Sequence, residues 1–213
     1  KTAPGLYLGV RRVTLGADGA LAFDGAGEVI DAVVEMVRFN QQSLLDRMAL
    51  AGELTPQLLD DTARMIADFH ASSPVTRGSG GAENIANVLS INEAGFATSH
   101  VFRPSELSDF HAAFRNALQR HEALLDRRAK SGKVRLCHGD LHLRNICLLE
   151  GKPRLFDCIE FNDAIATIDV LYDLSFLLMD LWHNGLDADA HLVMNRYLDQ
   201  TDEEDGFPLL PFF

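Results

Sequence analysis

The residues best suited to chemistry lie in two short stretches of the 213-residue chain: Cys137-His138-Gly139-Asp140-Leu141-His142-Leu143-Arg144-Asn145, and Leu155-Phe156-Asp157-Cys158-Ile159-Glu160. In the first, a carboxylate (Asp140) is followed two residues later by His142 and five residues later by Asn145, and Gly139 disfavours a helix. The second places Asp157 at the end of a strand, 12 residues after Asn145, with turn residues Glu150-Gly151-Lys152-Pro153 between them. A hairpin would bring Asn145 and Asp157 to neighbouring strand ends. Oxygen donors of this kind suit Mg2+, which takes one or two carboxylates and fills its octahedron with water and phosphate oxygens. Phosphoryl transfer uses such a set: a base for the attacking hydroxyl, metal ligands, and cations near the phosphates. Asp140 suits the first role, Asn145 and Asp157 the second, and His142 or Arg144 the third. His138 and His142 around Asp140 also admit the zinc site of a metal-dependent hydrolase, although histidines four apart bind zinc from a helix.

The rest of the chain has to position these groups. Residues 6–15 and 29–39 are rich in Val, Leu and Ile and are separated by turn residues, which predicts a small antiparallel sheet. At Asn40 the period becomes helical. Leu44, Leu45, Met48 and Ala51 share a face and Gly52 ends it; Thr55-Pro56 then opens a helix carrying Leu59, Ala63, Ile66 and Phe69 inward. Residues 72–81 read as a loop, 83–93 as a helix, and 105–131 as a long amphipathic helix with the stripe Leu107, Phe110, Phe114, Leu118, His121 and Leu125. Short strands follow at 134–137, 146–149 and 154–156. Asp169 should cap an apolar helix over 170–183, and a last helix runs over 187–198.

Composition narrows the function classes. Lys and Arg number 19 against 31 Asp and Glu, and a net charge of −12 argues against nucleic acid. The apolar run 165–182 is broken by Asp169, Asp173 and Asp180, so it reads as a buried helix and not a membrane span. Three cysteines (Cys137, Cys147, Cys158) give no disulfide framework and read as reduced, buried thiols of a cytoplasmic protein. The run Asp202-Glu203-Glu204-Asp205 reads as a solvated stretch.

His138-Gly139-Asp140 with Asn145 resembles the catalytic loop of the aminoglycoside phosphotransferase family and its choline-kinase-like relatives, which share the protein-kinase fold. Phe156-Asp157-Cys158-Ile159-Glu160 is similar to the family's metal-binding Ile-Asp-x-x-Glu, and Leu171-Tyr172-Asp173-Leu174-Ser175 to its Leu-x-Asp-Leu-Ala. The resemblance implies an α+β, protein-kinase-like fold: a partial small lobe and hinge over 1–39 and a mainly helical large lobe over 40–213. It implies ATP and Mg2+ as cofactors, Asp140 and His142 as catalytic residues, and Asn145 and Asp157 as metal ligands. Asp173 would brace the loop, and His138 would support it structurally. The hinge falls on Val34-Glu35-Met36-Val37-Arg38-Phe39, where the backbone at Glu35 and Val37 would bind adenine. The acceptor would be a small-molecule hydroxyl, and the acidic balance leans to a cationic one. The overall arrangement resembles an uncharacterised bacterial subgroup in which the kinase-like domain often precedes a P-loop ATPase domain.

Such a family also needs a phosphate-covering hairpin and a small-lobe lysine. The four lysines are Lys1, Lys130, Lys133 and Lys152, and only Lys1 precedes the hinge. The expectation is a chain lacking the first part of its small lobe and weak or inactive by itself. A pseudokinase, a nucleotide-binding regulatory module, is the alternative.

Overall fold

The computed structural model describes residues 5–76 and 80–213; Lys1 and part of the predicted 72–81 loop lie outside the described residues. Strand β1 (Tyr7–Leu15) pairs antiparallel with β2 (Leu21–Phe23) on one side and β3 (Glu28–Met36) on the other, in the order β2-β1-β3. This is the predicted small sheet. Its foot is held on the rest of the molecule by a cluster around buried Leu6 and Cys147, with Tyr7, Met36, Phe39 and Phe156 packed against them.

Helix α1 (Leu45–Ala51) ends where Gly52 turns left-handed at φ 70°. The Thr55 hydroxyl accepts the Leu58 N–H at 3.2 Å and Pro56 opens α2 (Pro56–Ser72). Helix α3 (Gly81–Ala97) is longer than predicted and packs along α4 (Pro104–Lys130). The α4 stripe is only partly covered. Phe110 stays 45% exposed, while Leu125, Arg128 and Ala129 are buried. Strand β4 (Val134–Leu136) pairs with an unpredicted β7 (Thr167–Asp169), which follows a short helix α5 (Asp163–Ala166).

Strands β5 (Ile146–Leu149) and β6 (Lys152–Leu155) form the predicted hairpin, with a tighter turn. Glu150 and Gly151 alone make it, at φ 52° and 75°, so Lys152 and Pro153 belong to β6. Two consecutive positive φ values match the twist of the strands.

Helix α6 (Val170–His183) is the predicted buried helix, and Asp169 caps it by accepting the Leu171 N–H at 2.9 Å. Helix α7 (Asp187–Leu198) follows. The main core joins α1, α2, the β5–β6 hairpin, α6 and α7 through Leu45, Leu59, Ile66, Leu141, Leu155, Leu174 and Val193. Each such side chain stabilises the fold by roughly 1.5–3 kcal/mol relative to exposure. Among the described residues no helix is long and apolar enough to cross a membrane.

Two expectations need correction. The acidic run 202–205 is not uniformly solvated. Arg128, fully buried, binds Asp169 through two nitrogens at 2.8 Å and Glu203 at 2.6 Å, and it also pairs with Asp205. Lys133 holds Glu203 at 2.7 Å. A buried guanidinium with five donors needs such company. Burial disfavours its charge, yet Asp169 and Glu203 outweigh burial and raise its pKa. Second, Cys137 and Cys147 are buried, but Cys158 is only half-buried beside the cleft described below.

Candidate active site

The 137–142 loop leaves β4 and is fixed before any side chain in it faces solvent. Buried Asp173, on α6, accepts the Gly139 N–H at 2.8 Å and the His138 N–H at 3.1 Å, and meets His70 Nε2 at 3.0 Å. Tyr197 holds the other nitrogen of His70 at 2.9 Å. Burial pushes the Asp173 carboxyl up, but the His70 bond, the neighbouring histidines and the Gly139 N–H together carry it below its ordinary value. Gly139 is left-handed at φ 80°, and a Cβ there would sit 3.0 Å from Ile159 Cδ1. Both facts require glycine.

Asp180, seven residues after Asp173, accepts the Leu143 N–H at 2.9 Å and so holds the loop's far end. At 3.6 residues per turn, Asp169, Asp173 and Asp180 fall within about 40° of one another around α6. The three aspartates that interrupt the apolar run thus share one helix face, each with a defined partner.

Both His138 nitrogens meet backbone: Nε2 lies 2.9 Å from the Phe156 carbonyl and Nδ1 3.3 Å from the Asp140 N. With both nitrogens engaged it is no zinc ligand, and the zinc reading fails. Asp140 is held by both carboxylate oxygens. Oδ1 faces His142 Nε2 at 3.1 Å, and Oδ2 accepts from Asn145 Nδ2 at 2.9 Å. The Asn145 amide also donates to the Asp140 carbonyl at 2.8 Å, which leaves its own oxygen as the group a cation can use. His142 packs edge-on to Phe176, with ring centroids 5.5 Å apart. Arg144 is exposed, 3.7 Å from Asp140.

The hairpin completes the site. The Phe156 N–H donates to the Asn145 carbonyl at 3.0 Å, so Asp157 emerges beside Asn145. Asp157 is exposed and left-handed at φ 59°, and its N–H donates to the Tyr7 hydroxyl at 2.7 Å. Asp140, Asp157, Glu160, Tyr7, Val34 and Met36 line one cleft, about 610 Å3 in volume. A smaller cavity of about 280 Å3, walled by Phe96, Phe110, Phe114, Tyr172 and Phe176, lies behind His142 and holds none of the predicted groups.

The hinge expectation named the backbone at Glu35 and Val37. Val34 and Met36 line the cleft, whereas Glu35 pairs with Arg11 at 2.8 Å. The Val37 N–H is already bonded to the Leu6 carbonyl at 2.8 Å, because the strand pairing continues one residue past β3. Strand alternation puts 34 and 36 on one face and 35 on the other.

His70, Cys137 and Asp173 offer ligand atoms within 4.8 Å of one another. Their groups are already satisfied: Cys137 Sγ lies 3.5 Å from the Ile168 carbonyl, and burial keeps its thiol pKa well raised. The trio is a hydrogen-bonded core.

A sequence profile of the Phosphotransferase enzyme family matches residues 19–207. The chain belongs to that family. It is also similar to uncharacterised proteins of Mycobacterium bovis and of Mycobacterium tuberculosis strains CDC 1551 and H37Rv. Each is 29% identical over 186 residues, covering 82% of this chain and 34% of the relative. The chain spans about a third of the length of the curated relatives it matches. The chain has the mixed α and β, protein-kinase-like fold of that family.

The donor set fits Mg2+. The Asp157 carboxylate has no ion-pair partner among the described residues, and the Asn145 amide is turned so that its oxygen is unspent. Hard oxygen donors on adjacent strand ends are what this ion takes. A cleft of this volume lies within the usual range for small-ligand sites, about 300–1,000 Å3.

Sequence reasoning missed Tyr7, Asp180, His70 and Arg128. Asp180 was findable, because it repeats the Asp173 face after two helical turns. The others act through partners far along the chain, and nothing local marks them.

Proposed function

We propose that this protein moves the γ-phosphoryl group of ATP to a hydroxyl of a small molecule, with Asp140 as the base. The observation that carries this reading is the double hold on the Asp140 carboxylate by His142 and Asn145, with Asp157 on the same cleft. Asn145 and Asp157 would hold Mg2+, and Val34 and Met36 would flank the adenine. When bound, Mg2+ neutralises charge on the phosphates. The protein's own residues do the rest. Asp140 accepts the proton of the acceptor hydroxyl at a carboxylate oxygen, and His142 on Oδ1 and Asn145 on Oδ2 keep the carboxylate in place. Asp173 and Asp180 fix the loop from below. A positioned base contributes about 10²–10⁴ in rate.

The acceptor would enter the cleft lined by Asp140 and Asp157, and the chain's net charge of −12 leans to a cationic one. The test is an ATP turnover screen across neutral, aromatic and polycationic alcohols, run alongside Asp140→Asn. A variant that keeps the wild-type rate would remove Asp140 from the role.

One observation favours a nucleotide-binding regulatory module instead: none of the described lysines, Lys130, Lys133 and Lys152, lines the cleft. Mg2+-dependent ATP binding without turnover of any acceptor would select that reading.

A further inference from the structure

Asp157 is the one cleft carboxylate whose backbone is strained, and the group that steadies it comes from the other end of the chain. It is left-handed, which a side chain other than glycine adopts at a cost. Its preceding residue is pinned on the large-lobe side, since the Phe156 N–H meets Asn145 and the Phe156 carbonyl meets His138. On the small-lobe side, the Phe156 ring packs edge-on to Phe39 at 5.5 Å. Beyond that, the Asp157 N–H donates to the Tyr7 hydroxyl at 2.7 Å, across 150 residues of sequence.

Tyr7 is itself held. It opens β1 opposite Met36, and its ring joins the cluster around Leu6 and Cys147 that seats the sheet on the β5–β6 hairpin. The Leu6 carbonyl accepts the Val37 N–H, so the strand end carrying Tyr7 is locked to the strand that leads into the hinge. The hydroxyl therefore reaches Asp157 only when the sheet is seated.

We propose that Tyr7 is a positioning residue through which the seating of the small lobe fixes the backbone of Asp157 and thereby sets the affinity of the Asn145–Asp157 pair for its divalent cation. The inference rests on the reading of Asp157 as a metal ligand given above. It makes metal affinity a report of lobe position: a small lobe that lifts away releases the Asp157 N–H and with it the carboxylate.

Tyr7→Phe removes the hydroxyl and keeps the ring in its cluster, so the test separates the bond from the packing. Mn2+ stands in for Mg2+, and its binding is measured by electron paramagnetic resonance in the presence of ATP, for wild type, Tyr7→Phe and Asp157→Ala. Loss of one hydrogen bond should weaken Mn2+ about five- to tenfold in Tyr7→Phe. Its ligand-free melting midpoint should fall by no more than about 5 °C. Amide exchange at Asp157 should quicken by a similar factor. Wild-type Mn2+ affinity in Tyr7→Phe, or unchanged exchange at Asp157, overturns the proposal while leaving Asp157 as a ligand. Asp157→Ala binding Mn2+ as tightly as wild type overturns the metal reading itself, and the proposal with it.

Discussion

Replacing Asp173 by Asn tests how the loop is held. The side chain keeps its size and loses its charge and one acceptor oxygen. In the native site Oδ1 takes the Gly139 N–H, and Oδ2 takes both the His138 N–H and His70 Nε2. Whichever way the new amide is turned, one of the two backbone N–H groups faces an NH2. An unpaired buried N–H costs roughly 1–3 kcal/mol, and the surviving bond loses about 1 kcal/mol of charge assistance. The total of about 2–4 kcal/mol is a large part of a typical stability of about 5–15 kcal/mol. For a chain of this length the melting midpoint should fall by roughly 5–12 °C.

The pH dependence has a definite sign. A carboxyl held below its ordinary value adds stability above that value, and the contribution is lost as pH falls through the lowered one. The gap between wild type and Asp173→Asn should therefore be full near neutrality and shrink below about pH 4. Thermal melts by circular dichroism across that range measure both effects, and amide exchange at 138 and 139 localises them. A midpoint within about 1 °C of wild type near neutral pH would show that Asp173 is not what holds the loop.

Asp140→Asn should cut turnover by about 10²–10⁴ with ATP binding retained, read by steady-state kinetics and calorimetry. Asp157→Ala should weaken nucleotide binding in Mg2+ far more than in its absence, and equal loss in both conditions would count against a metal role. Arg128→Met strands Asp169 and Glu203 in the interior and should destabilise by about 3–5 kcal/mol in urea unfolding. Arg128→Lys keeps the charge without the fork and should recover only part of that. Gly139→Ala forces a side chain into a left-handed position against Ile159, and a lower melting midpoint with slower turnover is the expected result.

What could be read from sequence was what neighbours in sequence decide. Gly52, Thr55-Pro56 and Asp169 announce helix ends because a cap acts within three or four residues of itself. Asp140, Asn145 and Asp157 could be placed together because a hairpin is a local device. The tighter turn at Glu150-Gly151 was obscured by Pro153, which looks like a turn residue but is tolerated in a two-stranded ribbon with open edges. Strand β7 is three residues long and exists only because β4 is there to pair with it. In the sequence, Arg128 is one of three basic residues in the last turn of α4. Its burial depends on carboxylates 41, 75 and 77 residues away, and no pattern in α4 carries that information.

The stretch of α6 between its second and third inward-facing carboxylates works as a ruler. Gly139 and Leu143 are moored to the same rod two windings apart, so the distance between the moorings is written in helical pitch. A single residue inserted between positions 174 and 179 would swing one mooring about 100° around the rod relative to the other. Length changes there should be survivable only in multiples that restore the winding.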